Sequence, residues 1–220
     1  MKKIYAVCNG IFGLNIYTVV NEINKSCLGK GEKPLYHFEG FVCDNPGWLN
    51  RFGLSDLYVG PLSTWPLPEN AVIGLGVDNP TEKEAAVKKI TGFGGTIETL
   101  ISPRALLPLG FKVGKGCVIT AETSIKDTAI IHDYVSIVGA MIGAYAEIDE
   151  YSTLRSLTNI TNAKIGKGTL VERNVAIPHT DGGIKVGEYA VITAGSVVIR
   201  NVRDRSVVAG NPARRARIHT

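Results

Sequence analysis

The sequence predicts two architectures in series, a small parallel α/β sheet followed by a triangular parallel β-helix. Three observations predict them. Short apolar runs alternate with helix-periodic stretches over the first hundred residues, an aliphatic residue recurs every sixth position from Ile101 onward, and 25 glycines stand against only 8 tyrosines, 6 phenylalanines and 2 tryptophans. Such a chain turns often and fills its interior with branched aliphatics. With 220 residues, 45% of them apolar, it is long enough to bury a sizeable core.

Ile4 to Val7 reads as a strand, Asn9-Gly10 and Gly13 as a turn, and Leu14 to Ile23 as a helix with apolar residues at helical spacing. A second strand, Tyr36 to Val42, ends in the turn signal Asp44-Asn45-Pro46-Gly47. A third, Ala71 to Val77, leads through Asp78-Asn79-Pro80-Thr81-Glu82 into a helical stretch, Glu84 to Ile90. Strands alternating with helices imply a parallel sheet, because each parallel pair needs a crossover.

From Ile101 the period becomes six: Leu107, Val113, Ile119, Ile125, Ile131 and Ile137. After a five-residue step it resumes at Ile142, Ile148, Leu154 and Ile160, after another at Ile165, Val171 and Ile177, and after a nine-residue step at Val186, Ile192 and Val198. Four residues after most of these stands a small or apolar residue, such as Cys117, Thr123, Ala146, Ser152, Thr169 or Ser196. Neither an amphipathic helix nor an alternating sheet has this period. A coil of three six-residue steps does, each step a short strand and a corner, and about five coils follow. The boundary between the architectures falls at residue 100, giving regions 1–100 and 101–220.

Charge and cysteine usage narrow the function. The net charge of +4 is mild and the basic residues are scattered except for Arg214, Arg215 and Arg217, which argues against a nucleic-acid groove. Cysteines 8, 27, 43 and 117 form no CxxC pair, so a reducing, cytoplasmic setting is expected. The basic start and apolar run to Val20 are broken by Asn9 and Asn15, unlike a signal peptide, and no run is long enough for a membrane span. No histidine pair or cysteine cluster has metal-ligand spacing, so no metal is expected in catalysis.

Steps such as Val113-Gly114-Lys115-Gly116-Cys117-Val118 and Ile165-Gly166-Lys167-Gly168-Thr169-Leu170 resemble those of the hexapeptide-repeat, left-handed β-helix acyltransferases. The ending, Ala194-Gly195-Ser196-Val197-Val198 and then Val208-Ala209-Gly210-Asn211-Pro212-Ala213-Arg214, resembles that of acetyl-CoA-dependent members. In the first region Gly40 to Asp44, Val72 to Gly76 and Thr99 to Ala105 resemble, in order and spacing, the bacterial sugar acetyltransferases of the sialic acid O-acetyltransferase and UDP-4-amino-sugar N-acetyltransferase (NeuD and PglD) type. That resemblance implies a Rossmann-like domain binding a nucleotide-sugar, then a left-handed β-helix with a C-terminal cap binding acetyl-CoA between the subunits of a homotrimer. The three flat faces of a β-helix also suit side-by-side association. Two places depart from the family: Asn9-Gly10-Ile11-Phe12-Gly13 replaces a turn ending in glycine-histidine, and Cys43-Asp44 replaces a pair of acidic residues.

The residues carried over follow that order. Gly10, Gly13 and Gly76 are expected to let backbone approach phosphate or ribose, and Asp44 to accept a hydrogen bond from ribose or base. Ala194, Gly195, Ser196, Asn211 and Pro212 are expected along the acetyl-CoA slot, with amides near Gly195 holding the oxyanion. Arg200, Arg214 and Arg215 are expected on the phosphates of the cofactor.

Acetyl transfer to an amine or hydroxyl needs a base, for which histidine is suited by its near-neutral pKa. Of His37, His132, His179 and His219, the first lies within a strand and the last is penultimate. His179, at the root of the stretched step and two residues past Ile177, is the first choice, resembling the place of the family's base. Thr180 replaces the family's neighbouring acid, leaving Asp181 or a main-chain carbonyl to orient the ring. His132, beside Asp133, is the second choice, and Glu147, Asp149 and Glu150 read as solvated charges. The expected activity is direct acetyl transfer to a nucleotide-linked amino sugar. A non-catalytic β-helical binding or scaffold protein that retains the N-terminal pocket is the alternative.

Overall fold

A computed structural model describes residues 1–68 and 71–216; Arg217 and His219 lie outside the described residues. The chain divides into two compact units, 1–103 with 116–118, and 104–115 with 119–220.

The first unit is a five-stranded parallel sheet. Its elements are β1 (Lys2–Cys8), α1 (Gly13–Gly29), β2 (Tyr36–Val42), the short α2 (Gly47–Asn50), β3 (Tyr58–Gly60), β4 (Val72–Gly76), α3 (Pro80–Gly92) and β5 (Thr96–Ile97). The strand order is β3-β2-β1-β4-β5, so the chain builds outward from β1 on one side, then returns to build on the other. Both long helices exceed the stretches legible in the sequence. Asn79 starts α3 by accepting hydrogen bonds from the Thr81 and Glu82 amides at 3.0 and 3.2 Å, with Pro80 in the first turn, where its missing N–H costs nothing. The core gathers Ile4, Ala6, Ile16, Val19, Phe41 and Leu100.

Two glycines set the helix-to-sheet distance. A Cβ on Gly76 would sit 2.8 Å from the Gly13 Cα, and one on Gly13 would sit 2.7 Å from the Cys8 sulfur. Any side chain at either place would lift α1 off β1 and β4 and open the core.

The second unit is a parallel β-helix, in the left-handed arrangement of hexapeptide repeats. Ser124–Ile125, Met141–Ile142, Asn159–Ile160 and Ala176–Ile177 stack as one face. Ile130–Ile131, Glu147–Ile148, Ala163–Ile165 and Ile184–Val186 stack as a second. The third runs through Ser136–Ile137, Thr153–Leu154, Leu170–Val171, Val191–Ile192 and Val207–Ala209, and closes with Arg214–Arg215 pairing antiparallel. From Ile119 to Val198 every aliphatic residue of the series is buried, as are the small residues Thr123, Ala146, Ser152, Thr169 and Ser196.

Three residues beyond most inward aliphatics the backbone takes a positive φ, at Glu122, Tyr134, Tyr145, Tyr151, Leu157, Asn174, Tyr189 and Arg205. Within the five-residue steps, from Ile137 to Ile142 and from Ile160 to Ile165, the same conformation falls one place earlier, at Gly139 and Asn162. A non-glycine residue pays about 1–2 kcal/mol for it. Along one corner the cost is offset by stacking: the Tyr134 and Tyr151 rings lie 5.2 Å apart and 15° from parallel, with Lys115 over the first and Lys167 over the second. Arg205 lies over Tyr189 in the same way. Ring and cation contacts of this kind offset part of the strain.

Two outcomes follow. Gly187→Ala, whose Cβ would collide with the Asp204 backbone nitrogen, should destabilise the chain by about 1–3 kcal/mol in urea unfolding. Gly195→Ala, with φ +72° and open space around the Cβ, should cost only about 1 kcal/mol. A further outcome concerns Lys83, fully buried on α3, where desolvation lowers its pKa from 10.5 to about 7 against the opposing pull of Cys117 and Asp78. Between about pH 7 and 10.5 the unfolded chain holds this proton and the folded chain does not. Stability should therefore rise with pH across that window, and Lys83→Met should flatten the rise.

Candidate functional site

At the carboxyl ends of β1, β2 and β4, where the strand order reverses, the first unit opens into a cavity of about 570 Å³. This is where open α/β sheets take ligands. Its walls include Asn9, Asp44, Ser63, Glu82 and Lys89, and its floor includes Cys8. Asn9 donates to Glu82 Oε2 at 2.7 Å and to Asp78 Oδ1 at 3.3 Å, tying the end of β1 to the start of α3. Asp44 Oδ1 accepts from the Ser63 amide and hydroxyl at 3.0 and 2.9 Å, and Lys89 Nζ donates to the Leu62 carbonyl. The Cys8 and Cys43 thiols share a hydrogen bond that raises the Cys8 pKa, reinforced by burial, and lowers that of Cys43.

A second opening of about 620 Å³ shares Asn9 and Asn45 and runs past Gly10, Ile11, Trp48, Arg51 and Phe52. Trp48 meets Phe41 edge to face at 5.3 Å, and its buried indole helps, after Cys8, to lower the Cys43 pKa. Together the openings offer an apolar aromatic slot with one arginine beside a polar cleft with two carboxylates. The expected ligand residues divide accordingly. Gly10 lines the aromatic slot and Asp44 the polar cleft, whereas Gly13 and Gly76 bring helix and sheet together.

On the β-helix, His179 is exposed at the root of the 178–183 loop, which leaves the corner after Ala176–Ile177. Asn162 holds that loop by donating from Nδ2 to the Thr180 carbonyl at 2.7 Å. Among the described residues neither Asp181 nor any carbonyl hydrogen-bonds the His179 ring. Ala194 and Gly195 form the corner stacked on the one before Ala176–Ile177, since the Gly195 amide donates to the Arg173 carbonyl at 2.9 Å. The two elements therefore flank one face. The turn Asn211–Pro212, a cis peptide, lies against the same segment. Val197 donates to Gly210, Ala213 donates to Val197, and Ser196 Oγ accepts from the Gly210 amide.

The amides of Gly195, Ser196 and Val197 are already bonded to the carbonyls of Arg173, Thr193 and Gly210. They are thus committed to the coil rather than open to an oxyanion.

His132 stands on another face, where its Nε2 meets Glu147 Oε1 at 3.1 Å and Lys164 meets the same oxygen at 2.9 Å. The Lys164 hydrogen bond, then that of His132, hold the Glu147 carboxyl below its usual range. The reading of Glu147 as a solvated corner charge is thereby corrected: it lies on a strand and bridges three coils. At the end of the prism Arg200, Arg214 and Arg215 line one pocket of about 260 Å³ together with Arg203, which sequence reasoning missed, over a floor including Val198 and Val208. Among the described residues no cluster of three or more His, Cys, Asp or Glu could hold a metal ion.

No protein-family model matches the chain. Over 106 residues it is 36% identical to serine acetyltransferase 4 of Arabidopsis thaliana, covering 47% of this chain and 26% of that protein. Over 110 residues it is 34% identical to serine acetyltransferase 2 of the same plant, covering 49% and 30%. The chain thus spans under a third of the length of these curated relatives.

Among solved structures, the acetyltransferase domain of PglB from Neisseria gonorrhoeae has a TM-score of 0.77 at 20% identity, covering 98% of this chain and all of that one. PerB from Caulobacter crescentus, with CoA and GDP-perosamine, has 0.77 at 19%, covering 98% of each. WeeI from Acinetobacter baumannii has 0.79 at 18%, covering 98% and 100%. The architecture is that of the hexapeptide-repeat acetyltransferases. More narrowly, it is the form in which a parallel α/β unit precedes the β-helix, as in PglB and PerB.

Proposed function

We propose that this chain transfers acetyl from acetyl-CoA to the amine of a nucleotide-linked sugar. The observation that carries the reading is the fold match across 98% of the chain to an N-acetyltransferase solved with CoA and GDP-perosamine. The similarity of about half the chain to serine acetyltransferases supports acetyl-CoA as donor. The crevice of the first unit supports the acceptor: Trp48 and Phe52 suit a base, Arg51 a phosphate, and Asp44 and Glu82 the hydroxyls of a ribose or sugar.

His179 is the base of this reading. Ala194 to Ser196 and the Asn211–Pro212 turn border the same face, so a thioester lying along them has this imidazole as its accessible proton acceptor within the chain. The attacking nitrogen gives its proton to His179 as it bonds to the thioester carbonyl carbon, and CoA leaves as the thiolate. The second choice, His132, is favoured by a specific observation: its Nε2 meets Glu147 Oε1 at 3.1 Å, a carboxylate partner that orients the imidazole. Three subunits side by side would bring such faces together, and light scattering should return about three times the 23.6 kDa chain mass.

Thermal-shift titration with acetyl-CoA and with UDP-, GDP- and dTDP-amino sugars tests the reading, since a ligand that binds the folded state raises its apparent stability. A chain that acetyl-CoA does not stabilise is instead the non-catalytic binding or scaffold protein. His179→Ala should lower kcat by about 10²- to 10⁴-fold with acetyl-CoA affinity unchanged. His132→Ala should stay within a few-fold. The reverse pattern transfers the base to His132 and its Glu147 partner.

A further inference from the structure

Two neighbouring strands of the first unit end on cysteine. Cys8 closes β1, Cys43 follows directly on β2, and Val7 stands opposite Val42, so the two cysteines are the next pair along the same parallel ladder. Side chains alternate along a strand, which puts Cys8 on the face of Ala6 and Cys43 on that of Phe41, and all four belong to one core. Strands in a sheet lie about 4.8 Å apart, inside the roughly 4.4–6.8 Å that separates the Cα atoms of a disulfide.

The surroundings leave each sulfur the other to move toward. A Cβ on Gly13 would come within 2.7 Å of the Cys8 sulfur, so α1 closes that side, whereas the sulfur lies 3.9 Å from the Val42 carbonyl on the β2 side. The hydrogen bond shared by the thiols holds Cys43 below its ordinary range against burial, with help from Trp48, and so favours a thiolate there. Cys8 lines the cavity of about 570 Å³, which gives a small oxidant a way in. The residues that follow the pair, Asn9 and Asp44, stand in the wall of that cavity, where Asn9 holds Glu82 and Asp44 holds Ser63. A bond between the sulfurs therefore acts on the backbone immediately before both.

We infer that Cys8 and Cys43 form an oxidation site, closed to a reversible disulfide by a hydroperoxide, and that closure loosens the hold of the crevice on its ligand. The second half rests on the crevice being the acceptor site. The Cys43 thiolate attacks a peroxide oxygen, the O–O bond breaks, and the departing alkoxide or hydroxide takes up the proton that Cys43 released. Cys8 then attacks the sulfenic sulfur, the S–S bond forms, and the sulfenic oxygen leaves as water with the Cys8 proton. Two thiols are oxidised and one hydroperoxide is reduced by the same two electrons. A thiol reductant reverses the bond by exchange, and in a reducing compartment such a bond is a transient signal rather than a staple.

Treatment of the full chain with hydrogen peroxide, followed by alkylation, proteolysis and mass mapping, tests the site. The expected product joins the Cys8 and Cys43 peptides, disappears with dithiothreitol, and leaves Cys27 and Cys117 alkylated. Cys8→Ala should lose the cross-link and take up dimedone at Cys43, trapped as the sulfenic acid. In calorimetric titration, the UDP-, GDP- or dTDP-amino sugar that the reduced chain binds should be held about tenfold more weakly by the oxidised chain and regained on reduction, with acetyl-CoA affinity unchanged. Free Cys8 and Cys43 after peroxide, a cross-link to Cys27 or Cys117 in their place, or a Cys8–Cys43 bond that leaves the sugar affinity the same overturns the inference while the acetyltransferase reading stands. If the reduced chain binds none of the nucleotide sugars, the acceptor reading fails, and the cross-link alone decides the oxidation site.

Discussion

In-register backbone pairing between successive coils is the constraint on which the second unit depends. Ser136 pairs with Thr153, 17 residues on, Thr153 with Leu170, 17 on, and Met141 with Asn159, 18 on. A slip of one residue would turn an inward aliphatic outward all along a face, so register and interior composition enforce each other. The left-handed corner residues are the means by which so short a perimeter closes. Their strain is tolerated because each corner is held by the coil next to it, as when the Asn174 amide donates to the Ser156 carbonyl at 3.0 Å.

The first unit depends on close approach rather than on repetition. Gly13 and Gly76 remove two side chains where helix meets strand, and the space saved there places the start of α1 beside the crevice. The same carboxyl-end edge carries a pair of thiols and two carboxylates at or beside its openings, each held by a neighbour: Asp44 by Ser63 and Glu82 by Asn9.

Much of this architecture was legible in the residues, because its rules are local. An interior that admits one branched aliphatic per side of the prism writes a period of six from Ile119 to Val198, and helical apolar spacing marks the body of α1 from Leu14 to Ile23. Tyr58–Gly60 and Thr96–Ile97 were not legible, being edge strands too short to show alternation. The candidate site was less readable still. Glu147 reaches His132 across a coil, and Arg203 joins Arg214 and Arg215 only because the chain reverses after Val207–Ala209, beyond the last step of the repeat. Asp44 and Gly10 were recognisable as residues at the ends of strands, but that they line different openings follows from the position of α2.

The 178–183 loop lies outside the pairing that defines the prism. Lys164 pairs with Lys185, 21 residues on, where coils without the loop take 16 to 18, yet Ala163, Lys164 and Ile165 meet Ile184, Lys185 and Val186 without a shift. The ladder therefore ignores the length of what is spliced between Ile177 and Ile184. A scaffold with this property separates its durable part from its exchangeable part. Segments of other lengths and chemistries fit at that corner while the prism stays as it is, so a lineage can change what the corner presents without having to refold the body that carries it.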